Sequence, residues 1–458
     1  MQFTRGMLTK RMCGHSVAFF LICIFIFTSS CSLQKQIGKA AAVALADSSL
    51  QNAHVGISIY EPATGKYWYN FNGDKYFVPA SNTKLPTCYA AMKYLGDSLV
   101  AGRFTTEPLD GTHTFYPSGD PTFLHPDFKV QPLFYELRKL TRLIIDFTGF
   151  EEEPLGSGWS WNDYNEDYMA ERSPFPIYGN LVRFNFKKSI LSSVPSVRVE
   201  IDSLGLKPYN ADSIRKAYRE GHFSITRDIG KNEFNIIPEK GDYVASDIPY
   251  RFNYDFIVQM LSDTLKFNQI YVGRTVDARK QSQTGTVIHS QPTDSLLKIM
   301  MHRSDNFFAE QSLLMVSNEK IGIMNDSKII ETLLKTDLKG LPQAPRWVDG
   351  CGLSRYNLFS PKDFVYILNK MKDEFGMDRL KVILPTGGRG TLSSYFLANK
   401  NRIFAKTGTL SGVVALSGFF YTRSNKLLVF SVLVNNHHGS ATAIRRAVEK
   451  FLQNVCNR

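Results

Sequence analysis

The sequence predicts an α/β (α+β) protein in which one mixed domain, built from both ends of the chain, is interrupted by a large, mostly β insertion. Three observations carry this. Near the N-terminus "HVGISIYEP" (54–62) and "KYWYNFN" (66–72) alternate like strands around an Ala-Thr-Gly turn, the pattern of a hairpin. Near the C-terminus "RIFAKTGTLSG", "VVALSGFFYT" and "KLLVFSVLVNN" are three strand-like runs separated by Ser-Gly and Ser-Asn turns, positioned to complete a sheet begun by that hairpin. Between about 99 and 281 the character changes: Gly, Pro, Asp and aromatics punctuate short segments such as "YPSGDPTFL" and "LVRFNFKKSIL".

Taken in order, the chain opens with a leader. Arg5, Lys10 and Arg11 form a basic stretch, and Val17 to Phe27 is an apolar run too short to span a bilayer comfortably. Residues 1–30 read as a signal peptide. "TSSC" (28–31) resembles a bacterial lipobox with Cys31 as the lipidated residue, Thr28 standing where most lipoboxes carry Leu; plain secretion with cleavage nearby is the alternative. Residues 36–53 are alanine-rich with helical spacing. After the hairpin, "LPTCYAAMKYLG" reads as a helix ending near Gly96. Residues 294–321 form a long helical stretch with a break near Arg303–Asp305, and "ATAIRRAVEKFLQNV" closes the chain as an amphipathic helix. The expected division is 31–98 with 282–458 as the main domain, and 99–281 as the β-rich insert, in two subdomains.

Composition narrows the function. With 458 residues, 43% of them hydrophobic and 21% charged, the chain can build two or three cores and has no compositionally disordered tract. The formal charge of +12 stays basic after loss of the leader. Export argues against nucleic acid, so the basic excess reads as a solvated surface, with an anionic wall polymer or lipid face as the additional reading. Four scattered cysteines beyond the leader (Cys31, Cys88, Cys351, Cys456) are no disulfide framework. No C-x-x-C or H-E-x-x-H occurs, so no metal or cofactor is implied.

Three short motifs carry the chemistry. Ser81-x-x-Lys84 is one of five such tetrads, with those at Ser32, Ser213, Ser295 and Ser317, and is set apart by lying just after a hairpin at a helix start. One helical turn places the Lys84 amine beside the Ser81 hydroxyl as its base, and the helix N-terminus supplies N–H groups for an oxyanion. Ser304-Asp305-Asn306 interrupts a helical pattern, so Ser304 can relay a proton and the Asn306 amide can hold a peptide. Lys406-Thr407-Gly408-Thr409 is the chain's only Lys-Thr-Gly. There Gly408 allows close approach of a ligand, while Lys406, Thr407 and Thr409 offer a cation and two hydroxyls to a carboxylate. The Thr409 N–H would be the second oxyanion donor, opposite that of Ser81. Read singly, each motif has a bland counterpart: a helix start, a helix junction, and a strand before a turn.

In this order the trio resembles the superfamily of serine DD-peptidases and β-lactamases. The long gap between Ser81 and Ser304 resembles the low-molecular-weight class C penicillin-binding proteins, the D-Ala-D-Ala carboxypeptidase/endopeptidases of peptidase family S13. "SGDPTFL" (118–124), "GWSWNDY" (158–164), "DGCGLSRYNLFSP" (349–361), "GRGTL" (388–392) and "KTGTLSGVVALSGF" (406–419) extend the likeness over the mature chain. The family usually reads Asp-Gly-Ser-Gly where Cys351 replaces the serine here. The resemblance implies an antiparallel sheet flanked by helices, acylation of Ser81 by a peptidoglycan stem peptide or a β-lactam, and Lys84 as base. It further implies that Asp163, Arg355 and Ser411 read the free end of a diamino-acid side chain. A turn aspartate and a surface-loop arginine are the bland readings of Asp163 and Arg355. Competing functions are a β-lactamase, which would need a water-activating glutamate between the second and third motifs, and a non-enzymatic β-lactam sensor or wall-binding protein.

Overall fold

The computed structural model describes residues 35–200, 211–266, 269–274 and 284–457. The leader 1–30 and Cys31 lie outside the described residues. The N-terminal helix occupies 35–45 and gives way to turns, so it is shorter than the alanine-rich stretch suggested.

The two ends of the chain do share a sheet. Its order is Ile403–Leu410, Val413–Tyr421, Leu427–Asn435, His54–Glu61, Lys66–Phe71, and every pairing is antiparallel. Gly412, with φ +75°, closes the tight turn after the first of these strands. Both faces are covered, which is why Val413–Tyr421 is buried over eight successive residues instead of alternating. Phe404, Ala415, Phe419, Val429 and Leu433 face a layer containing the helices Lys84–Tyr94, Thr293–Arg303, Asn306–Ile321 and Pro361–Ile383. Ile403, Ala405, Val414, Phe420 and Val434 face the closing helix Ala441–Cys456, through Ile444, Val448 and Phe451, and the N-terminal helix through Ile37 and Ala41. The helix Lys84–Tyr94 runs through the centre of the first layer and is buried from Lys84 to Met92. Cys88, Cys351 and Cys456 are free and buried.

The insert holds a five-stranded mixed sheet and two three-stranded sheets, with one buried cluster linking all three. Its last strand, Thr286–Pro292, pairs antiparallel with Ser98–Thr106 and runs straight into the helix Thr293–Arg303. The insert's sheet thus extends past residue 281, where the returning half of the main domain was expected to begin. Three helices, Pro132–Leu137, Ala211–Glu220 and Tyr254–Leu265, lie among its strands. Arg172 fastens insert to domain: it contacts Glu152 at 3.0 Å on its own side, and Asp326 at 2.5 Å and Glu310 at 3.6 Å across the boundary.

Candidate active site

Ser81 lies in a 3-10 turn, Ala80–Thr83, that leads into the buried helix beginning at Lys84. The turn is held from both sides. Asn82 Nδ2 donates to Ser417 Oγ on the sheet at 2.7 Å. Ala80 takes a left-handed φ of +47°, unusual for a residue with a Cβ, and Gly352 packs against its carbonyl. A Cβ at Gly352 would sit 2.0 Å from that oxygen, so this glycine of the "DGCG" loop makes room for the nucleophile turn. Gly408 does the same from the sheet: a Cβ there would meet Pro79 O at 2.7 Å and Ser81 N at 3.1 Å.

Lys84 Nζ reaches Ser81 Oγ at 3.1 Å, Asn306 Oδ1 at 2.7 Å and the Cys351 carbonyl at 2.8 Å. The side chain is fully buried, and desolvation lowers its pKa from the usual lysine value. A neutral amine has two N–H groups and one lone pair. In that form, with its N–H groups on Asn306 and Cys351, the amine would turn its lone pair to the serine hydroxyl, as a general base requires.

The second lysine is built similarly. Lys406 Nζ donates to Ser304 Oγ at 2.8 Å and to the Thr407 carbonyl at 2.7 Å. Burial, and then the charge of Lys84, push its pKa well below the ordinary range. Ser304 takes φ +62° at the break between two helices, while the Asp305 side chain caps the second by accepting from Phe308 N. The helix break expected near Arg303–Asp305 is therefore the device that turns Ser304 toward Lys406 and Asn306 toward Lys84. Asn306 Nδ2 donates to the Tyr168 carbonyl at 3.2 Å, which brings the insert to the site. From Ser304 and Asn306 a groove of about 350 Å³ runs between domain and insert, past Asp167, Tyr168, Arg183 and Asp247.

The strand Ile403–Leu410 is the edge of its sheet. Ala405 N donates outward to Pro385 O, so strand alternation turns the N–H groups of Thr407 and Thr409 to the same open edge. Side chains alternate too: Lys406 and Gly408 face the Ser81 layer, Thr407 and Thr409 the opposite face. The Thr409 hydroxyl accepts from Arg445 on the closing helix. Arg355 Nη2 donates to the Ser411 carbonyl at 2.9 Å, so these two candidate residues meet at the surface. Asp163 sits in a short 3-10 turn, Trp161–Asp163, and bonds to the Tyr168 side chain, whose pKa burial and this carboxylate raise to about 12. The segments around Asp163 and Arg355 are clamped together, with Trp159 Nε1 donating to Asp349 at 3.0 Å and Gly158 packed on Tyr356.

Sequence reasoning passed over the buried acids beneath Lys84. Glu310 Oε1 accepts from Cys351 N at 2.7 Å, and Asp349 accepts from the backbone N–H groups of Gly352 and Ser354. The two carboxylates thus hold the loop whose Cys351 carbonyl braces Lys84. Cys351, in place of the usual serine, binds Glu310 and Lys84 through its backbone, and its Sγ accepts from Leu353 N at 3.4 Å and donates to Asp349 Oδ2 at 3.8 Å. Glu310 follows Asn306 by four residues, so both lie on one helix face, and that spacing was the available signal. Glu310, Asp349 and Cys351 have ligand atoms within 4.8 Å of one another, a grouping able to hold a metal ion.

Burial and the neighbouring Asp349 raise the Glu310 pKa from 4.5 to about 8. Between those values the folded protein holds a proton that the unfolded chain releases, so this group's contribution to stability is full below 4.5 and lost as pH rises through 8. Glu310→Gln keeps the acceptor for Cys351 N without the titration. Urea unfolding is expected to show the variant gaining stability relative to wild type as pH rises from 4.5 to 8.

The chain is 26% identical over 410 residues to the D-alanyl-D-alanine carboxypeptidase DacB of Haemophilus influenzae, covering 80% of this chain and 82% of that protein. It is 26% identical over 440 residues to the D-alanyl-D-alanine carboxypeptidase of Actinomadura sp. (strain R39), covering 87% and 80%. The fold matches the crystal structure of penicillin binding protein 4 (dacB) from Haemophilus influenzae with a TM-score of 0.65 at 18% identity, over 89% of this chain and 96% of that one. Residues 37–455 match the model of the D-Ala-D-Ala carboxypeptidase 3 (S13) family, and the chain belongs to that family.

Proposed function

We propose that the protein is a serine D-alanyl-D-alanine carboxypeptidase and/or DD-endopeptidase acting on peptidoglycan stem peptides, working through a Ser81 acyl-enzyme that β-lactams also form. The observation that carries this is the contact, at 3.1 Å, of the fully buried Lys84 Nζ with the half-buried Ser81 Oγ. Ser81 Oγ attacks the carbonyl of the penultimate D-Ala as Lys84 takes its proton. The oxyanion lies between the N–H groups of Ser81 and Thr409. Ser304, bonded to Lys406, passes a proton to the leaving amine, and the C–N bond breaks to release the terminal residue. Water then cleaves the ester and restores the Ser81 hydroxyl.

Asn306 has one N–H left for the substrate amide. Lys406, Thr407 and Thr409 border the place of the terminal carboxylate, and Gly408 lets the peptide approach the strand. Asp163, Arg355 and Ser411 take the far end of the diamino acid: a carboxylate for its ammonium, and a guanidinium for its own carboxylate. Names of the curated relatives support the carboxypeptidase reading, and one matched solved structure is of a relative complexed with a β-lactam. The leader supports export, with Cys31 as the site of a lipid anchor. Among the described residues no helix is long and apolar enough to cross a membrane.

A β-lactamase would need a glutamate holding a water against the acyl-enzyme. Glu310, the buried glutamate beneath Lys84, is turned instead to Cys351 N and Arg172. The test is incubation of the purified protein with a DD-pentapeptide and with a fluorescent penicillin. Release of D-Ala together with a long-lived penicilloyl adduct is expected. Rapid turnover of penicillin without D-Ala release would contradict the proposal.

A further inference from the structure

We propose that Arg445, on the closing helix, is the fixed positive charge that receives the substrate's terminal carboxylate at the open edge of the Lys406–Thr409 strand. This deepens the function proposed above and rests on it.

The position comes from packing. The helix Ala441–Cys456 covers the sheet face opposite Ser81 through Ile444, Val448 and Phe451, and Arg445, next to Ile444, reaches the edge strand. One of its Nη2 hydrogens goes to Thr409 Oγ1. Arg445 also lines, with Thr407 and Val448, the cavity between this helix and the sheet. The two hydroxyls that flank Gly408 thus share a face with a guanidinium.

Arg445 differs from its neighbours in having no acid. Arg446, the next residue, pairs with Glu449 at 2.6 Å and stacks 4.3 Å over Tyr395. Among the described residues no carboxylate lies within ion-pair distance of Arg445. A guanidinium presents five N–H donors in a planar fork, and the Thr409 bond uses one, which leaves a fork suited to a carboxylate.

The chemistry of the site calls for such a group. Lys406, the cation the motif supplies, lies on the other face of the strand, and its two partners here are a hydroxyl and a carbonyl. It is fully buried and close enough to Lys84 to lose proton affinity, and it is committed to Ser304. A carboxylate held by Lys406 alone would draw a proton back onto it and compete with the relay. Arginine stays charged throughout the working pH range and takes no part in proton traffic. With Arg445 behind Thr407 and Thr409, the anion is neutralised at the strand edge while Lys406 serves Ser304.

The test compares ligands with and without the anion. Wild type, Arg445→Gln and Arg445→Lys are assayed with a DD-pentapeptide and with the same peptide as its C-terminal amide, and with penicillin against its methyl ester. For Arg445→Gln, KM for the free acid is expected to rise about 10- to 100-fold with kcat nearly unchanged, and penicillin acylation to slow by a similar factor. The amide and the ester should react as they do with wild type, and Arg445→Lys should recover part of the loss. Equal losses on charged and neutral ligands, or no loss on either, would overturn the assignment; an unchanged thermal midpoint excludes misfolding as the cause of a selective loss. If wild type takes up penicillin but releases no D-Ala, the peptidase reading fails while the penicillin-to-ester ratio still decides Arg445. If wild type does neither, both fall.

Discussion

Lys84→Arg is expected to slow acylation of the protein by penicillin about 10²- to 10⁴-fold, the range a positioned general base contributes. The substitution keeps N–H donors near Asn306 and the Cys351 carbonyl but removes the lone pair, because a guanidinium does not deprotonate in a protein. The pH profile separates this from simple misplacement. Lys84 acts in its neutral form, which grows as pH rises through its pKa. Burial places that pKa below the usual lysine value of 10.5, so wild-type acylation should rise to its plateau at lower pH than an ordinary lysine would allow. The variant should lack this rise. Acylation within tenfold of wild type, or an unchanged pH profile, would assign the proton to another group.

The largest effect on stability is expected at Arg172, which is 2% exposed. Its guanidinium meets Glu152, Asp326 and Glu310, and donates to the carbonyls of Glu153 and Leu155. Arg172→Met has about the right volume and no charge, leaving three buried acids without their counter-ion. Breaking a buried pair from one side costs about 3–5 kcal/mol. Urea unfolding should show a loss of that order, and Arg172→Lys a smaller one, because an ammonium cannot serve acids on both sides at once. Because Glu310 braces the loop under Lys84, the methionine variant should also acylate more slowly. A loss below about 1 kcal/mol would mean that the acids take up protons without cost to the fold.

The parts of the molecule legible in the sequence were those governed by local chemistry. The hairpin at 54–71 and the three C-terminal strands announced themselves through apolar runs and Gly or Asn turns, and they do form one sheet. The break at Ser304 was visible as polar residues inside a helical pattern, and it sets the second motif beside the other two. The helix Tyr254–Leu265 was missed although its signals are present: Asn253 caps Phe256 N, and Ile257, Leu261 and Leu265 share one face. Tyr250, Phe252 and Tyr254 alternate with polar residues like a strand, a pattern that runs up to the helix start and masks it. The pairing of Thr286–Pro292 with Ser98–Thr106 was not legible, since nothing near residue 286 tells which distant strand it will join. Backbone contributions were hidden for a related reason. The carbonyls of Cys351 and Tyr168 that anchor Lys84 and Asn306 belong to no side-chain motif. Arg172 and Arg445 act on partners remote in the chain, and only the fold brings them there.

The central claim is that Ser81 is the acylated atom, with Lys84, Ser304, Asn306 and Lys406 gathered around it. The most direct measurement is intact-protein mass spectrometry after incubation with penicillin, followed by peptide mapping, for wild type and Ser81→Ala. One penicilloyl group should appear on wild type, in the peptide that contains Ser81, and none on the variant. An adduct mapped to any other residue, or one that survives in Ser81→Ala, would contradict the account.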